Sequence, residues 1–156
     1  MKKLNSEILV KSDLDTVWKF FSNAQNLPKI TPKKLSLKIT SSSGQDVYSS
    51  IYPGQIITYT VKPFPLFKME WMTEITEVKE GHHFIDEQRV GPYKIWHHQH
   101  FFKETSEGVL VIDEVHYCLP FYPFSEILGA QYVAYELKKI FDFREAAILN
   151  LEELNA

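Results

Sequence analysis

Two histidines and two aspartates in the second half of the chain have the types and the spacing to form one polar cluster. His98 and His100 are two residues apart in an alternating segment, so both imidazoles lie on one side of a strand. Pairing with the neighbouring segments places Asp86 opposite His98 and Asp113 opposite His100. Because an unpaired charge in apolar surroundings is costly, we expect these four groups to pair with one another.

The sequence leaves three uses for such a cluster open. The four groups can be a structural network that fixes the geometry of the strands. They can be the polar centre of an apolar pocket and orient one oxygen-bearing ligand. A histidine held by a carboxylate can also transfer protons, and the catalytic candidates are then His98, His100, Asp86 and Asp113.

A metal site is a sharper alternative, because two histidines and two aspartates on adjacent strands can converge on zinc or a similar ion. Nothing in the spacing fixes the tetrahedral distances that zinc requires, and short motifs of this kind carry a high risk of false positives. We therefore expect neither a metal nor another cofactor.

Three strands joined by two tight turns must position the cluster. The segment 82–120 contains three alternating stretches, separated by Gly91-Pro92 and by a turn at 105–108. Turns at these points place Trp96 opposite Gln88 on one neighbouring strand and opposite Tyr117 on the other. The shared face carries large apolar side chains with the cluster at its middle, which is typical of a cavity lining.

An earlier strand and the last helix complete this cavity. The segment 67–79 alternates, and we expect its apolar row, which begins at Phe67, to face inward. A helical pattern at 125–154 places apolar residues along one side. The expected ligand contacts are Tyr59, Trp71, Phe84, Gln88, Trp96, Phe102, Tyr117, Val133, Leu137 and Phe141.

The remaining elements make this an α+β chain. Alternation predicts further strands at 4–11, 33–40 and 55–63, with a polar loop at 41–46. Ser12 or Asp13 can cap a helix through Asn23, and a short helical turn follows at 24–30. Six to seven antiparallel strands, two short helices after the first strand and a long C-terminal helix follow the order of the helix-grip fold. In that fold a curved sheet wraps the last helix around a central cavity.

Composition limits the classes of protein to which the chain can belong. The 156 residues are 44% hydrophobic, which fits one domain over 1–156 with a core and a pocket. A net charge of −3 lacks the basic excess that attracts nucleic acid, so we expect no nucleic-acid partner. The sequence has no signal-peptide pattern and no stretch of transmembrane length, and Cys118 is its single cysteine. We expect a cytoplasmic protein without membrane insertion, and the oligomeric state stays open.

The segment 82–120, which contains the polar cluster, also resembles a known superfamily. FIDEQRVGPYKIWHHQHFF and VIDEVHYCLPF contain F-x-D-x-Q, G-P, W-x-H-x-H-x-F and D-x-V-x-Y-x-x-P, a pattern similar to that of bacterial members of the SRPBCC (START-like, birch-pollen-allergen-like) superfamily. The order of elements resembles the superfamily over the whole chain, whereas the motif covers only the last three strands. The resemblance implies a small hydrophobic partner in an internal cavity, of lipid, polyketide or aromatic type. It also implies an alternative, a cyclase/aromatase- or dehydratase-like enzyme that uses His98 or His100 with Asp86 or Asp113 as general acid and base.

Overall fold

The chain folds around one seven-stranded antiparallel sheet. A computed structural model describes residues 1–43, 50–64, 67–121 and 129–155. The strands are β1 (Lys2–Val10), β2 (Lys38–Ser42), β3 (Ile56–Phe64), β4 (Phe67–Lys79), β5 (His83–Val90), β6 (Ile95–Thr105) and β7 (Gly108–Cys118). The helices are α1 (Leu14–Phe21), α2 (Ala130–Leu149) and three short 3-10 helices at Ala24–Ile30, Lys33–Leu35 and Glu152–Leu154. The strand order is β1-β7-β6-β5-β4-β3-β2, so consecutive strands from β2 to β7 are neighbours and β1 closes on β7.

The predicted register of the last three strands is confirmed. Asp86 pairs with His98 across β5 and β6, and His100 pairs with Asp113 across β6 and β7. Buried and partly buried residues alternate along β7 from Gly108 to Tyr117 and along most of β6, as expected for a sheet with one face against the core. The turn between β6 and β7 requires glycine, because Gly108 has a φ of 135° and a Cβ there would meet the backbone carbonyl of Val10.

Helix α1 packs against β6 and β7 and forms one part of the core. It begins after Asp13, whose side chain accepts a 2.9 Å hydrogen bond from the backbone N–H of Thr16, as the cap prediction requires. Trp18 on its inner side makes edge-to-face contacts with Phe84 and Phe102. Such aromatic pairs add about 0.5–1.5 kcal/mol to the gain from burial, so they hold α1 in place.

Helix α2 presents one buried stripe to the sheet. Its inner residues are Leu137, Phe141, Arg144 and Ile148, spaced by four, three and four positions, which is the spacing of one helical face. Leu137 and Phe141 join a cluster with Trp96 of β6. The stripe is apolar apart from Arg144, and this single charge lies level with the polar cluster of the sheet.

The predicted strand at 33–40 is wrong in its first half. Residues Lys33–Leu35 form a 3-10 helix, and Ser36 follows in the left-handed conformation with a φ of 46°. Its backbone N–H donates to the carbonyl of Lys33, which closes a tight turn before β2 begins at Lys38. Alternation over so few residues does not separate a strand from a short helical turn, and the local turn prevails here.

Two other predictions on the outer elements need correction. Phe67, the first residue of the predicted inward row, is not buried but 66% exposed, because the last pair between β4 and β5 is Met72 with Val90 and the start of β4 extends beyond it. The predicted helix at 125–154 is shorter, since α2 ends at Leu149 and a 3-10 turn then brings Leu154 into the core. Positions 125–128 of that prediction, and 44–46 of the predicted loop, lie outside the described residues.

Candidate functional site

A cavity of about 250 Å³ lies between α2 and the sheet. Aromatic and aliphatic side chains from β3 to β6, from α2 and from the 3-10 helix at Ala24–Ile30 make most of its wall. The polar side chains grouped at one place in the wall are Asp86, His98, His100 and Arg144. This arrangement can hold an apolar body and contact it with one group of charges.

Six of the ten expected ligand contacts lie in this wall. They are Tyr59, Trp71, Phe84, Trp96, Leu137 and Phe141. Of the four catalytic candidates, Asp86, His98 and His100 also line the cavity, whereas Asp113 lies behind them and is only 1% exposed. The structure therefore brings the whole polar cluster together, with one carboxylate at the cavity and one away from it.

The other four expected contacts have different surroundings. The Gln88 amide is used within the β5–β6 turn, where its Nε2 donates to the Tyr93 carbonyl at 2.6 Å and its Oε1 accepts from the Tyr93 N–H at 3.2 Å. Phe102 packs against Trp18 in the core beneath α1. Tyr117 is buried in the core cluster around Trp96, Val133 is partly buried against that cluster, and neither is part of the cavity wall. Period-two alternation gives the correct face for the strand residues but not their height along the strand, so it does not separate wall from core.

Each imidazole of the cluster lies between two carboxylates. The Nε2 of His98 is 2.9 Å from Asp113 Oδ1, and its Nδ1 is 3.5 Å from Asp86 Oδ2. The Nε2 of His100 is 2.9 Å from Asp86 Oδ2, and its Nδ1 is 2.8 Å from Asp113 Oδ1, outside hydrogen-bonding geometry. The hydrogen bonds therefore run diagonally across the strand register. His98 bonds to Asp113 and His100 bonds to Asp86, although Asp86 is opposite His98 and Asp113 is opposite His100. All four ring nitrogens face a carboxylate oxygen.

Arg144 is the member of the cluster that the sequence analysis missed. Its Nη2 donates to Asp113 Oδ1 at 3.4 Å, and its Nε lies 3.4 Å from Asp113 Oδ2. The guanidinium also lies over the rings of Phe21 and Phe141, at 5.6 and 5.9 Å from their centroids. The sequence does contain a signal for this contact, which is a basic residue inside the apolar stripe of α2. A buried charge on a helix needs a partner on the element against which the helix packs.

The protonation states follow from burial and from these contacts. Burial and the nearby charge of His100 lower the pKa of His98, in spite of its hydrogen bond to Asp113. Burial also acts to lower the pKa of His100, but its contacts with Asp113 and Asp86 outweigh burial and raise that pKa. Burial acts to raise the pKa of both aspartates; Arg144 and the imidazoles outweigh it, so both pKa values are lowered. At neutral pH both aspartates are therefore charged and His98 is neutral, and His100 is the imidazole whose raised pKa means that it holds a proton more strongly than a free histidine.

A second polar group lies in the cavity wall near the cluster. Trp71 Nε1 donates to Thr73 Oγ1 at 3.1 Å, and the Tyr59 hydroxyl shares a 3.2 Å hydrogen bond with the same oxygen. Burial and then the charge of Asp86 raise the pKa of Tyr59, so its hydroxyl stays protonated. These groups satisfy one another, and they give the wall a neutral polar edge beside the charged cluster.

Three residues of the cluster could also bind a metal ion, in competition with the proton and the cation already there. Asp86, His98 and His100 can each offer one ligand atom, and these atoms lie within 4.8 Å of one another. A metal ion there would replace the proton that His100 shares with Asp86, and it would lie near the positive charge of Arg144. The donor types fit zinc, but the neighbouring cation opposes it. Our expectation of no metal stays a prediction.

No helix within the described parts of the chain is both long and apolar enough to span a membrane. The longest described helix, α2, carries charged residues along its length, which makes it too polar for such a span.

Comparisons with known proteins identify the fold. No family model matches the sequence, and no curated protein matches it. The structure is similar to protein CV1439 from Chromobacterium violaceum, with a TM-score of 0.67 and 10% identity over 94% of this chain and 96% of that chain. It is similar to the di-domain ARO/CYC StfQ from the steffimycin biosynthetic pathway, with a TM-score of 0.68 and 10% identity over 94% of this chain and 49% of that chain. It is also similar to norcoclaurine synthase from Thalictrum flavum, with a TM-score of 0.64 and 18% identity over 95% of this chain and 94% of that chain. The chain therefore has the helix-grip fold, as the sequence predicts.

Proposed function

We propose that this protein binds a small hydrophobic ligand in the cavity beneath α2, with the polar cluster at the buried end of the ligand. We also propose that residues 1–156 act as one domain of the SRPBCC superfamily in the cytoplasm. The single observation that carries the proposal is an apolar cavity of about 250 Å³ with one group of charges in its wall. Pockets for small molecules generally have this composition, with a few polar groups that fix orientation.

The likeness in fold supports the proposal in a general way. Norcoclaurine synthase was solved in complex with a transition-state analogue, and StfQ is an aromatase/cyclase of a biosynthetic pathway. Both share the fold with this chain at low sequence identity. Lipid, polyketide and aromatic compounds are therefore the classes of ligand to test first.

The state of the two imidazoles favours binding over catalysis. A general base needs a ring nitrogen within reach of the substrate proton. Here each ring of His98 and His100 has a carboxylate oxygen 2.8–3.5 Å from both of its nitrogens and makes a hydrogen bond through Nε2, so its nitrogens face Asp86 and Asp113. Such a network holds the wall rigid and presents Asp86 to the ligand.

One observation supports the enzyme as a second candidate. Their surroundings lower the pKa of His98 and raise that of His100, and two adjacent imidazoles with pKa values moved apart in this way can serve as base and acid. Turnover of a co-purified compound by the native protein, lost in both His98→Gln and His100→Gln, is the result that this candidate requires.

The binding proposal is tested by blocking the cavity. Ile140 lines the cavity from α2, so Ile140→Trp places an indole in the hollow. Tyr135→Trp is the matched control, because Tyr135 is on the same helix and 60% exposed. We expect the neutral fluorescent probe N-phenyl-1-naphthylamine to bind the native protein and the control equally, and to bind Ile140→Trp at least tenfold more weakly.

Native mass spectrometry of the purified protein gives an independent measurement. A hydrophobic compound that is retained by the native protein and by Tyr135→Trp, but not by Ile140→Trp, supports the cavity as its site. Equal probe binding in all three proteins would place the probe on the surface and would refute the proposal.

A further inference from the structure

Arg144 has hydrogen-bonding capacity that its protein contacts do not use. A guanidinium has five N–H donors, and the hydrogen bond found for Arg144 is the long one from Nη2 to Asp113. Its Nε is fully buried and faces Asp113 Oδ2 at 3.4 Å, so the donors available to the cavity are those of the two Nη atoms. The side chain is 10% exposed and forms part of the cavity wall. The cavity therefore contains donors that a ligand oxygen can satisfy.

The position of these donors is fixed by packing. The rings of Phe21 and Phe141 lie at 5.6 and 5.9 Å from the guanidinium carbon, and Asp113 holds one edge. A guanidinium fixed in this way binds an acceptor with little further loss of side-chain freedom. Arg144 is thus preorganised to bind one oxygen at a defined place in the cavity.

The charge of the cluster limits which oxygen this can be. The two carboxylates lie 2.8–3.5 Å from the imidazoles and from Arg144, so groups of both charge signs are already paired within the cluster. A ligand carboxylate would add an unbalanced negative charge beside Asp86, which is 15% exposed towards the cavity. A ligand ammonium would meet the positive charge of Arg144. A neutral group avoids both penalties.

We propose that the ligand has an uncharged buried end with a hydrogen-bond acceptor, a ketone or similar carbonyl oxygen, which binds the guanidinium of Arg144. This inference rests on the proposed function, because it assigns the class of ligand to the same cavity. A hydrocarbon of the same shape leaves the Arg144 donors without a partner. A hydrogen bond to a charged donor in a buried site corresponds to roughly a tenfold to hundredfold gain in affinity.

A series of ligands with one apolar body tests the proposal on the native protein. The four probes are indane, 1-indanone, indane-1-carboxylate and 1-aminoindane at pH 7.5, where the last two are charged. Titration of the ¹⁵N-labelled protein is followed by NMR at the indole N–H groups of Trp71 and Trp96, which line the cavity, and at the Arg144 Nε–H. We expect 1-indanone to bind at least tenfold more tightly than the other three probes and to be the probe that shifts the Arg144 resonance most.

Variants connect this preference to Arg144. Arg144→Met alone leaves Asp113 buried without its cation and can prevent folding. The protein to be tested is therefore the double variant Arg144→Met with Asp113→Asn, which removes one charge of each sign. In this double variant we expect the ratio of 1-indanone affinity to indane affinity to fall to about one. Lys139→Met is the control, because Lys139 is exposed on α2 and pairs with Glu136, and its ratio should equal the native one.

The outcomes separate the two proposals. Indane binding as tightly as 1-indanone, or indane-1-carboxylate binding more tightly, overturns the carbonyl proposal and leaves ligand binding in place. An unchanged ratio in the double variant also overturns it. Failure of every probe to shift Trp71 or Trp96 contradicts both this inference and the proposed function.

Discussion

Removal of the Asp113 charge is the perturbation that most sharply tests the cluster as a structural unit. Asp113 is 1% exposed and lies 2.9 Å from His98 Nε2, 2.8 Å from His100 Nδ1 and 3.4 Å from Arg144. Asp113→Asn keeps the size of the side chain. It leaves Arg144 and the two imidazoles opposite the single carboxylate of Asp86, so the cluster loses one negative charge in a buried site.

The expected loss of stability follows from this charge. Breaking a buried ion pair by removal of one partner costs about 3–5 kcal/mol. For a chain of this length, 1 kcal/mol corresponds to a shift of roughly 2–4 °C, so the melting temperature should fall by roughly 6–20 °C. Arg144 and the imidazoles hold the pKa of Asp113 well below 3.8, its usual value. Its contribution is therefore complete above about pH 4 and is lost as the pH falls through the lowered, folded-state pKa.

The next residue along β7 provides a matched control. Glu114 points to the opposite face, is 26% exposed and pairs with Lys3 at 2.8 Å. Glu114→Gln should change the free energy of unfolding by less than about 1 kcal/mol, because exposed ion pairs contribute little. Urea unfolding at pH 7, followed by circular dichroism, measures both variants. Equal losses in Asp113→Asn and Glu114→Gln would refute the view that the cluster is a buried, mutually dependent network.

Three further results are expected. Because the pKa of His100 is raised, its contribution to stability is present below about pH 6.5 and is lost as the pH rises through the folded-state pKa; His100→Gln should lack this decline. Because the pKa of His98 is lowered, stability should fall as the pH drops below about 6.5, and His98→Gln should remove that fall. Urea unfolding measured as a function of pH tests both histidine predictions. An identical pH dependence in His98→Gln, His100→Gln and the native protein would contradict them. Gly108→Ala should cost about 1–3 kcal/mol more than Gly54→Ala in the same assay, because both have positive φ but only the Cβ at 108 meets backbone, that of Val10.

The sequence predicts the fold and the four cluster residues that lie on the sheet, and the reason is physical. Alternation fixes which residues share a face, and two short turns fix which residues are opposite one another. These two constraints are enough to place Asp86 and Asp113 beside His98 and His100. They also predict that the four groups meet, because a shared buried face brings them within reach of one another.

The contribution of the helix could not be predicted in the same way. Pairing between strands has a register, whereas the rotation and height of α2 over the sheet depend on packing of side chains that are distant in sequence. The sequence alone therefore does not connect Arg144 of α2 with Asp113 of β7, which it contacts. Phe102 and Tyr117 lie on the predicted face of their strands but pack into the core rather than the cavity wall, because alternation does not fix the height of a residue along the strand. The diagonal hydrogen bonds of the cluster also depend on side-chain rotation, which the register does not fix.

The central claim is that the hollow beneath α2 accepts a small apolar molecule against the polar cluster. A crystal structure of the native protein soaked with 1-indanone measures this most directly. We predict electron density for the bicyclic body between Trp71, Phe84 and Phe141, with the oxygen within hydrogen-bond distance of Arg144. Density for the compound only at the surface, or a hollow closed by side chains of α2, would contradict the account.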